Sequence, residues 1–183
     1  MFFPEKEITL MDGRVAIFRT PSPADAAAMI EYMRMTAGET DFLLRTPEEV
    51  TMTATEEEAY LSRIIKSKYD CMIVCTVEGK LAGNCQISRH NKRKNDHRAD
   101  VMIALLKEFW GLGIGTAMFR EMIALAESWG LMQLELEVIE GNTRAIGLYE
   151  KMGFRTVAAT PNAIRLPDGT MLKEFLMVKP LYL

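Results

Sequence analysis

The sequence is short of the features that mark several protein classes. Cys71, Cys75 and Cys85 are the only cysteines in 183 residues, and none stands in a CxxC pair or beside a histidine cluster. An odd, sparse set of this kind excludes a disulfide framework and argues against a zinc site, so the three read as reduced core residues. Only two histidines occur, His90 and His97, and no metal is expected from them. The apolar runs are too short to span a bilayer. Met1 to Glu7 carries Pro4 and two glutamates where a targeting segment would have basic residues and an apolar stretch. A protein that stays in the cytosol, with no membrane partner, is the expectation. Positive charge is not in excess either: 22 Lys plus Arg stand against 25 Asp plus Glu, a net charge of −3. No global field therefore draws the chain to nucleic acid or anionic lipid.

What is present suits one globular domain with a sizeable core: 49% hydrophobic and 26% charged residues, with 12 Gly and 7 Pro. Ile8 to Leu10 and Val15 to Ile17 flank Asp12-Gly13, a dipeptide suited to a two-residue turn, and predict a hairpin or edge strand. Ser22, Pro23 and Asp25 read as an N-cap, a first-turn proline and an acidic third position. Ala26, Met29, Ile30, Met33 and Ala37 then recur at helical spacing up to Gly38. The stretch Glu39 to Thr53 has no clean period. Thr55 with Glu58 signals a second helix running to about Lys68. Cys71 to Val77, Leu81 to Ser88 and Ala99 to Leu106 predict three strands of an antiparallel meander. A helix from the glycines at 111, 113 and 115 to Gly130 follows, then a strand at Leu134 to Val138. Asn142 to Gly153 reads as a fourth helix, and Phe154 to Leu183 as two strands around Asp168-Gly169. No repeat or linker interrupts this order, which predicts a single α+β domain, 1–183, with a mixed sheet.

The strongest local signal is Trp110-Gly111-Leu112-Gly113-Ile114-Gly115-Thr116, set between an apolar strand and an amphipathic helix. A helix start leaves backbone N–H groups unpaired and concentrates positive dipole, and glycines let a phosphate approach without a side chain in the way. On spacing alone the run is equally a close-packed strand-to-helix turn. A Walker loop is excluded by the missing Gly-Lys-Ser/Thr. A dinucleotide fingerprint is disfavoured because the glycines come late, after a meander.

A second constellation follows at the next strand-to-helix turn, Glu140-Gly141-Asn142-Thr143-Arg144-Ala145-Ile146-Gly147-Leu148-Tyr149-Glu150-Lys151-Met152-Gly153-Phe154. By its spacing alone, Asn142 is an N-cap, Gly153 a C-terminal glycine and Tyr149 a core aromatic. Paired with the glycine loop, however, the Asn, Ala, Leu-Tyr and Gly-Phe series resembles the GNAT family of N-acetyltransferases, closely from about His97 to Thr156. Trp110 departs from the Arg or Gln usual at its position.

The resemblance implies a GNAT-like α+β domain, a mixed and mostly antiparallel sheet flanked by about four helices. It implies transfer of an acetyl group from acetyl-CoA, as co-substrate, to a primary amine of a small molecule or protein N-terminus. Leu112, Gly113, Ile114, Gly115 and Thr116 are then pyrophosphate contacts, Asn142 is a coenzyme contact, and Tyr149 is the acid near the sulfur. A lysine-like amine is mostly protonated near pH 7, so a proton acceptor is useful. Asp100 is the first candidate and Glu137 the second. Backbone N–H groups around Leu105 and Leu106 are candidates to hold the thioester carbonyl. A silent acyl-CoA binding or sensing module on the same fold is the alternative.

Arg89 to Arg98 holds five Lys or Arg in ten residues. Such a run invites a nucleic-acid partner, but between two strand segments it reads as a solvated hairpin tip. The amine acceptor and the oligomeric state, a homodimer included, stay open.

Overall fold

The computed structural model describes residues 1–181; Tyr182 and Leu183, the end of the second predicted C-terminal strand, lie outside the described residues. The chain order is β1 (Lys6–Thr9), β2 (Val15–Arg19), α1 (Ala26–Glu39), α2 (Ala54–Lys66), β3 (Asp70–Val77), β4 (Lys80–Arg89), β5 (Arg98–Leu105), α3 (Ile114–Ser128), β6 (Gln133–Ile139), α4 (Thr143–Lys151), β7 (Arg155–Arg165) and β8 (Met171–Pro180). Eight strands form one mixed sheet in the order β1-β2-β3-β4-β5-β6-β8-β7. β5 and β6 are parallel, with Arg98, Ala99 and Asp100 opposite Gln133, Leu134 and Glu135. The β1–β2, β2–β3, β3–β4, β6–β8 and β7–β8 pairs are antiparallel. No helix among the described residues is long and apolar enough to cross a membrane.

The residues gather into two compact units, and β5 and α3 each run from one into the other. The first holds Met1–Ser88 and Met102–Met118. Its interior is built from Phe18, Leu61, Ile73, Val74, Ile87, Leu106, Ile114 and Met118. Here α1 and α2 cover the sheet. Thr53, not Thr55, caps α2, because its hydroxyl accepts from the Glu56 N–H while the Glu56 carboxylate accepts from the Thr53 N–H. That start places Glu57, Leu61 and Ile64 on the buried stripe. The β1–β2 connection spans residues 10–14, not the two-residue turn predicted at Asp12-Gly13. The Leu10 N–H donates to the Arg14 carbonyl, and Gly13 supplies a positive φ of 88°.

The second unit holds Arg89–Val101 and the described residues from Phe119 onward. Phe119, Met122, Leu134 and Met177 are fully enclosed in it. Rings of Phe119, Tyr149 and Phe154 meet there, the Phe119–Phe154 pair edge to face at 5.7 Å between centroids. After α4, Gly153 turns at φ 90°, and the Phe154 N–H returns to the Tyr149 carbonyl at 2.9 Å, closing the helix as a glycine C-terminus does.

Candidate active site

In the first unit the glycine turn lies between the end of β5 and α3. Gly111 and Gly113 adopt φ of 80° and 93°, conformations that favour glycine. The Ala117 N–H makes an intrahelical bond to the Gly113 carbonyl. The three residues before it, Ile114, Gly115 and Thr116, have N–H groups with no acceptor inside the helix. The first turn of this 15-residue helix carries no acid, so nothing there offsets its positive end. The sequence candidates Gly113, Ile114, Gly115 and Thr116 thus share one helix start. Leu112 belongs to the turn before it, and its carbonyl accepts from the Met11 N–H at the β1–β2 tip, 3.2 Å away.

The strand end that feeds this turn is tied at consecutive peptides. The Tyr32 hydroxyl donates to the Ala104 carbonyl at 2.7 Å and lies 3.0 Å from the Asn84 side-chain oxygen. The Trp110 indole N–H donates to the Leu105 carbonyl at 2.9 Å. The Lys107 N–H donates to the Glu39 carboxylate at 2.7 Å. Gly83 faces this strand end closely: a Cβ there would stand 2.7 Å from the Ala104 oxygen and collide with a Leu105 methyl carbon. One expectation is corrected. The Leu106 N–H donates to the Ala82 carbonyl at 3.0 Å and is thus engaged, which leaves Leu105 as the candidate of the two for a thioester oxygen.

In the second unit, Asn142 caps α4, its side-chain oxygen accepting from the Ala145 N–H at 3.2 Å. Tyr149 is 8% exposed and packs edge to face on Phe119, with centroids 5.3 Å apart. Burial pushes its phenol up to about 12, so the hydroxyl stays protonated at neutral pH. Core aromatic and proton donor are compatible roles for this side chain.

The carboxylates occupy different settings. Asp100 is exposed and sits at the last position of β5 paired with β6, its carboxylate 3.3 Å from His90 Nε2. The His90 ring is also engaged at Nδ1, 2.9 Å from the Asn95 amide nitrogen. Opposite Asp100, Glu135 is 5% exposed and receives both arms of the Arg98 guanidinium and the Gln133 amide. Burial raises the Glu135 carboxyl, but these donors outweigh it and hold the group below the usual carboxylate range. Sequence spacing gave no sign of this cluster, since the parallel register of β5 and β6 creates it. His90, Asp100 and Glu135 offer ligand atoms within 4.8 Å of one another. Both Glu135 oxygens, however, already face the Arg98 cation, which suits an ion-pair network better than a metal site. Glu137 lies two residues past the segment paired with β5 and opposite Leu176 of β8, exposed, on the same strand face as Glu135. Burial first, and then the Glu137 charge, raise the carboxyl of Glu174 on the adjoining strand.

The basic run forms a turn between β4 and β5, closed by bonds from the Asn95 N–H to the Lys92 carbonyl and the Arg98 N–H to the Asn95 carbonyl. Lys92, Arg93 and Lys94 are exposed there. Their placement is that of a solvated tip.

Residues 39–154, more than half of the chain, match the model of the acetyltransferase (GNAT) family. The chain belongs to the GNAT family. It is 27% identical over 108 residues to L-amino acid N-acetyltransferase AaaT of Escherichia coli (strain K12), which covers 58% of this chain and 66% of that protein. Over a shorter stretch of 58 residues it is 43% identical to an N-alpha-acetyltransferase of Sulfurisphaera tokodaii, covering 31% of this chain and 35% of that protein. The chain thus spans less than two thirds of the length of these curated relatives. A GNAT acetyltransferase structure from Streptococcus pneumoniae superposes with a TM-score of 0.85 at 26% identity, covering 90% of this chain and 99% of that one. The yncA acetyltransferase of Salmonella typhimurium, solved with acetyl-CoA, shares the fold with a TM-score of 0.77 at 18% identity, over 91% and 94% of the chains.

Proposed function

We propose that this GNAT protein transfers an acetyl group from acetyl-CoA to a primary amine by direct attack. The observation that carries the reading is the start of α3. Three N–H groups on a glycine turn, with no acid in the first helical turn, form a seat for a pyrophosphate in a chain of this family. Leu112 to Thr116 hold the pyrophosphate and Asn142 contacts the coenzyme. The Leu105 N–H takes the thioester oxygen as it gains charge.

In the reaction the amine nitrogen adds to the thioester carbonyl, the C–N bond forms and the C–S bond breaks. The amine proton goes to Glu137, favoured over Asp100 because it stands beyond the segment in which β5 and β6 pair. Tyr149 gives its proton to the departing thiolate, and free CoA leaves as the thiol. No covalent enzyme intermediate is needed.

The acceptor is an α-amine, of a free amino acid or a peptide N-terminus. Two relatives carry such acceptors in their names. A peptide α-amine with a pKa of about 8 is roughly a tenth neutral at pH 7, against less than about a thousandth for a lysine side chain, so a peptide N-terminus needs less help from the base. Incubation with acetyl-CoA and a panel of L-amino acids, diamines and short peptides, read by product mass, tests this. Acetylation at the α-nitrogen is expected. Acetylation confined to side-chain amines would replace the acceptor class.

A further inference from the structure

We propose that Glu57 is a specificity residue for the acceptor, its carboxylate receiving a positively charged side chain carried beside the α-amine that reacts. This rests on the function proposed above and narrows its acceptor class to cationic amino acids, free or at the start of a peptide.

Four polar or charged residues are buried among those described: Thr36, Glu57, Gln86 and Glu135. Three of them are satisfied inside the protein. The Thr36 hydroxyl donates to the Tyr32 carbonyl at 2.9 Å, and Glu135 receives Arg98 and Gln133. The Gln86 amide nitrogen donates to the Ser88 hydroxyl at 2.8 Å, and its oxygen accepts from the Tyr60 hydroxyl at 3.3 Å. Glu57 differs. It is 5% exposed, and among the described residues its carboxylate has neither a hydrogen bond nor an ion pair. Its oxygens still reach solvent, so the charged end marks an opening in an otherwise enclosed stretch of α2. Burial raises this carboxyl, and Arg45, exposed in the segment before α2, lowers it only through space. A carboxylate in that setting is short of a cation.

The opening belongs to the side of the sheet that α2 covers. Glu57 and Tyr60 stand three apart on α2 and share a face. Burial first, and then the Glu57 charge, raise the Tyr60 phenol. Tyr60 in turn reaches Gln86 on β4. Leu106 bonds Ala82, and the Tyr32 hydroxyl touches both Asn84 and Ala104, a register of β4 and β5 that sets Gln86 opposite Met102. Opposite residues of an antiparallel pair share a face. Gln86 is buried there and Met102 is 55% exposed, so α2 covers β4 and leaves β5 open. The open stretch runs from Met102 to Leu105, the residue proposed for the thioester oxygen. An acceptor lying along it brings its α-amine to the thioester while its side chain reaches back toward α2.

Selection then follows from the missing partner. A cationic side chain supplies the charge that Glu57 lacks. A neutral side chain of the same shape leaves the carboxylate unpaired as the acceptor closes off its solvent.

The test uses the full chain with L-arginine and L-citrulline, nearly equal in shape and different in side-chain charge, each free and as the first residue of a dipeptide with glycine. Thiol release gives kcat and KM for each. The parent is expected to favour the arginine form by about tenfold or more in kcat/KM, through KM. Glu57→Gln keeps the shape and removes the charge, and should bring the ratio between the two acceptors to about one by raising KM for the arginine form. A parent that uses the two equally, or that acetylates other α-amines and refuses L-arginine in both forms, would overturn the proposal. So would a Glu57→Gln protein that loses activity equally toward both, the mark of a merely structural residue. If Glu57→Gln does not fold, Glu57→Asp withdraws the charge by one methylene: a smaller ratio is expected, and an unchanged ratio overturns the proposal. A parent that transfers acetyl to no α-amine would instead defeat the functional reading itself.

Discussion

The hydroxyl of Tyr32 reaches the carbonyl of Ala104 across 72 residues of sequence and bonds it at 2.7 Å. Tyr32 is 3% exposed, so this bond joins α1 to the end of β5 inside the protein. Burial drives its phenol far above the ordinary tyrosine range. Tyr32→Phe leaves the Ala104 carbonyl without its donor. The expected loss is about 1–3 kcal/mol of stability, the cost of a buried polar group left unpaired, read as a fall in the denaturation midpoint. A variant as stable as the parent would mean that water replaces the hydroxyl there.

Gly113 sits at φ 93° with Met11 Cγ 3.7 Å from the position of an added Cβ. Gly113→Glu brings both a strained backbone and a carboxylate to the start of α3. CoA affinity should fall by about tenfold or more through repulsion of the pyrophosphate and obstruction of the N–H groups. The check is calorimetric titration of the folded variant. Equal affinity would move the pyrophosphate elsewhere.

Glu137 and Asp100 are separable by pH. As the proton acceptor, Glu137 should cost about a hundredfold in kcat when changed to Gln at neutral pH, and less as rising pH supplies neutral amine. Asp100→Asn should stay within about fivefold, since that exposed carboxylate sits beside His90. The measurement is kcat against pH for both variants. A larger loss in Asp100→Asn that fades at high pH would reverse the assignment.

Much of the fold could be read in the sequence because local signals agreed with one another. Asn142 and Gly153 mark the two ends of α4 through contacts only a few residues away, whereas Ser22-Pro23 opens a short 3₁₀ turn and α1 itself begins at Ala26. The start of α2 was harder, since Thr53-Glu56 and Thr55-Glu58 offer overlapping capping boxes. Burial of Glu57, Leu61 and Ile64 selects the first. Burial raises the Glu57 carboxyl, and no local pattern announces a carboxylate on that face. The site divided in the same way. The glycine turn and Asn142 are local devices and were visible, whereas the Arg98–Glu135 pair depends on the register of a parallel strand pair and was not. The engagement of the Leu106 N–H by Ala82 depends on strand pairing in the same sense.

Tyr149 gives a prediction in both rate and stability. Tyr149→Phe removes one oxygen and keeps the ring against Phe119, so kcat should drop by about a hundredfold with CoA affinity nearly unchanged. Burial pushes the phenol up to about 12, so the parent should show no alkaline loss of kcat from this group at pH values near 10, where an ordinary tyrosine ionises. The folded value lies above the unfolded one. The stabilising contribution is therefore complete below about 10 and disappears as pH rises through about 12, and Tyr149→Phe should lack that alkaline decline. Matching alkaline unfolding curves would show that the phenol is not held protonated by burial.

The most direct test of acetyl transfer is thiol release from acetyl-CoA in the presence and absence of an α-amine, with the acetylated product identified by mass. The account predicts amine-dependent release with one N-acetylated product formed for each CoA set free. Tight acetyl-CoA binding with no release for any α-amine would contradict it and leave an acyl-CoA binding module on a GNAT fold.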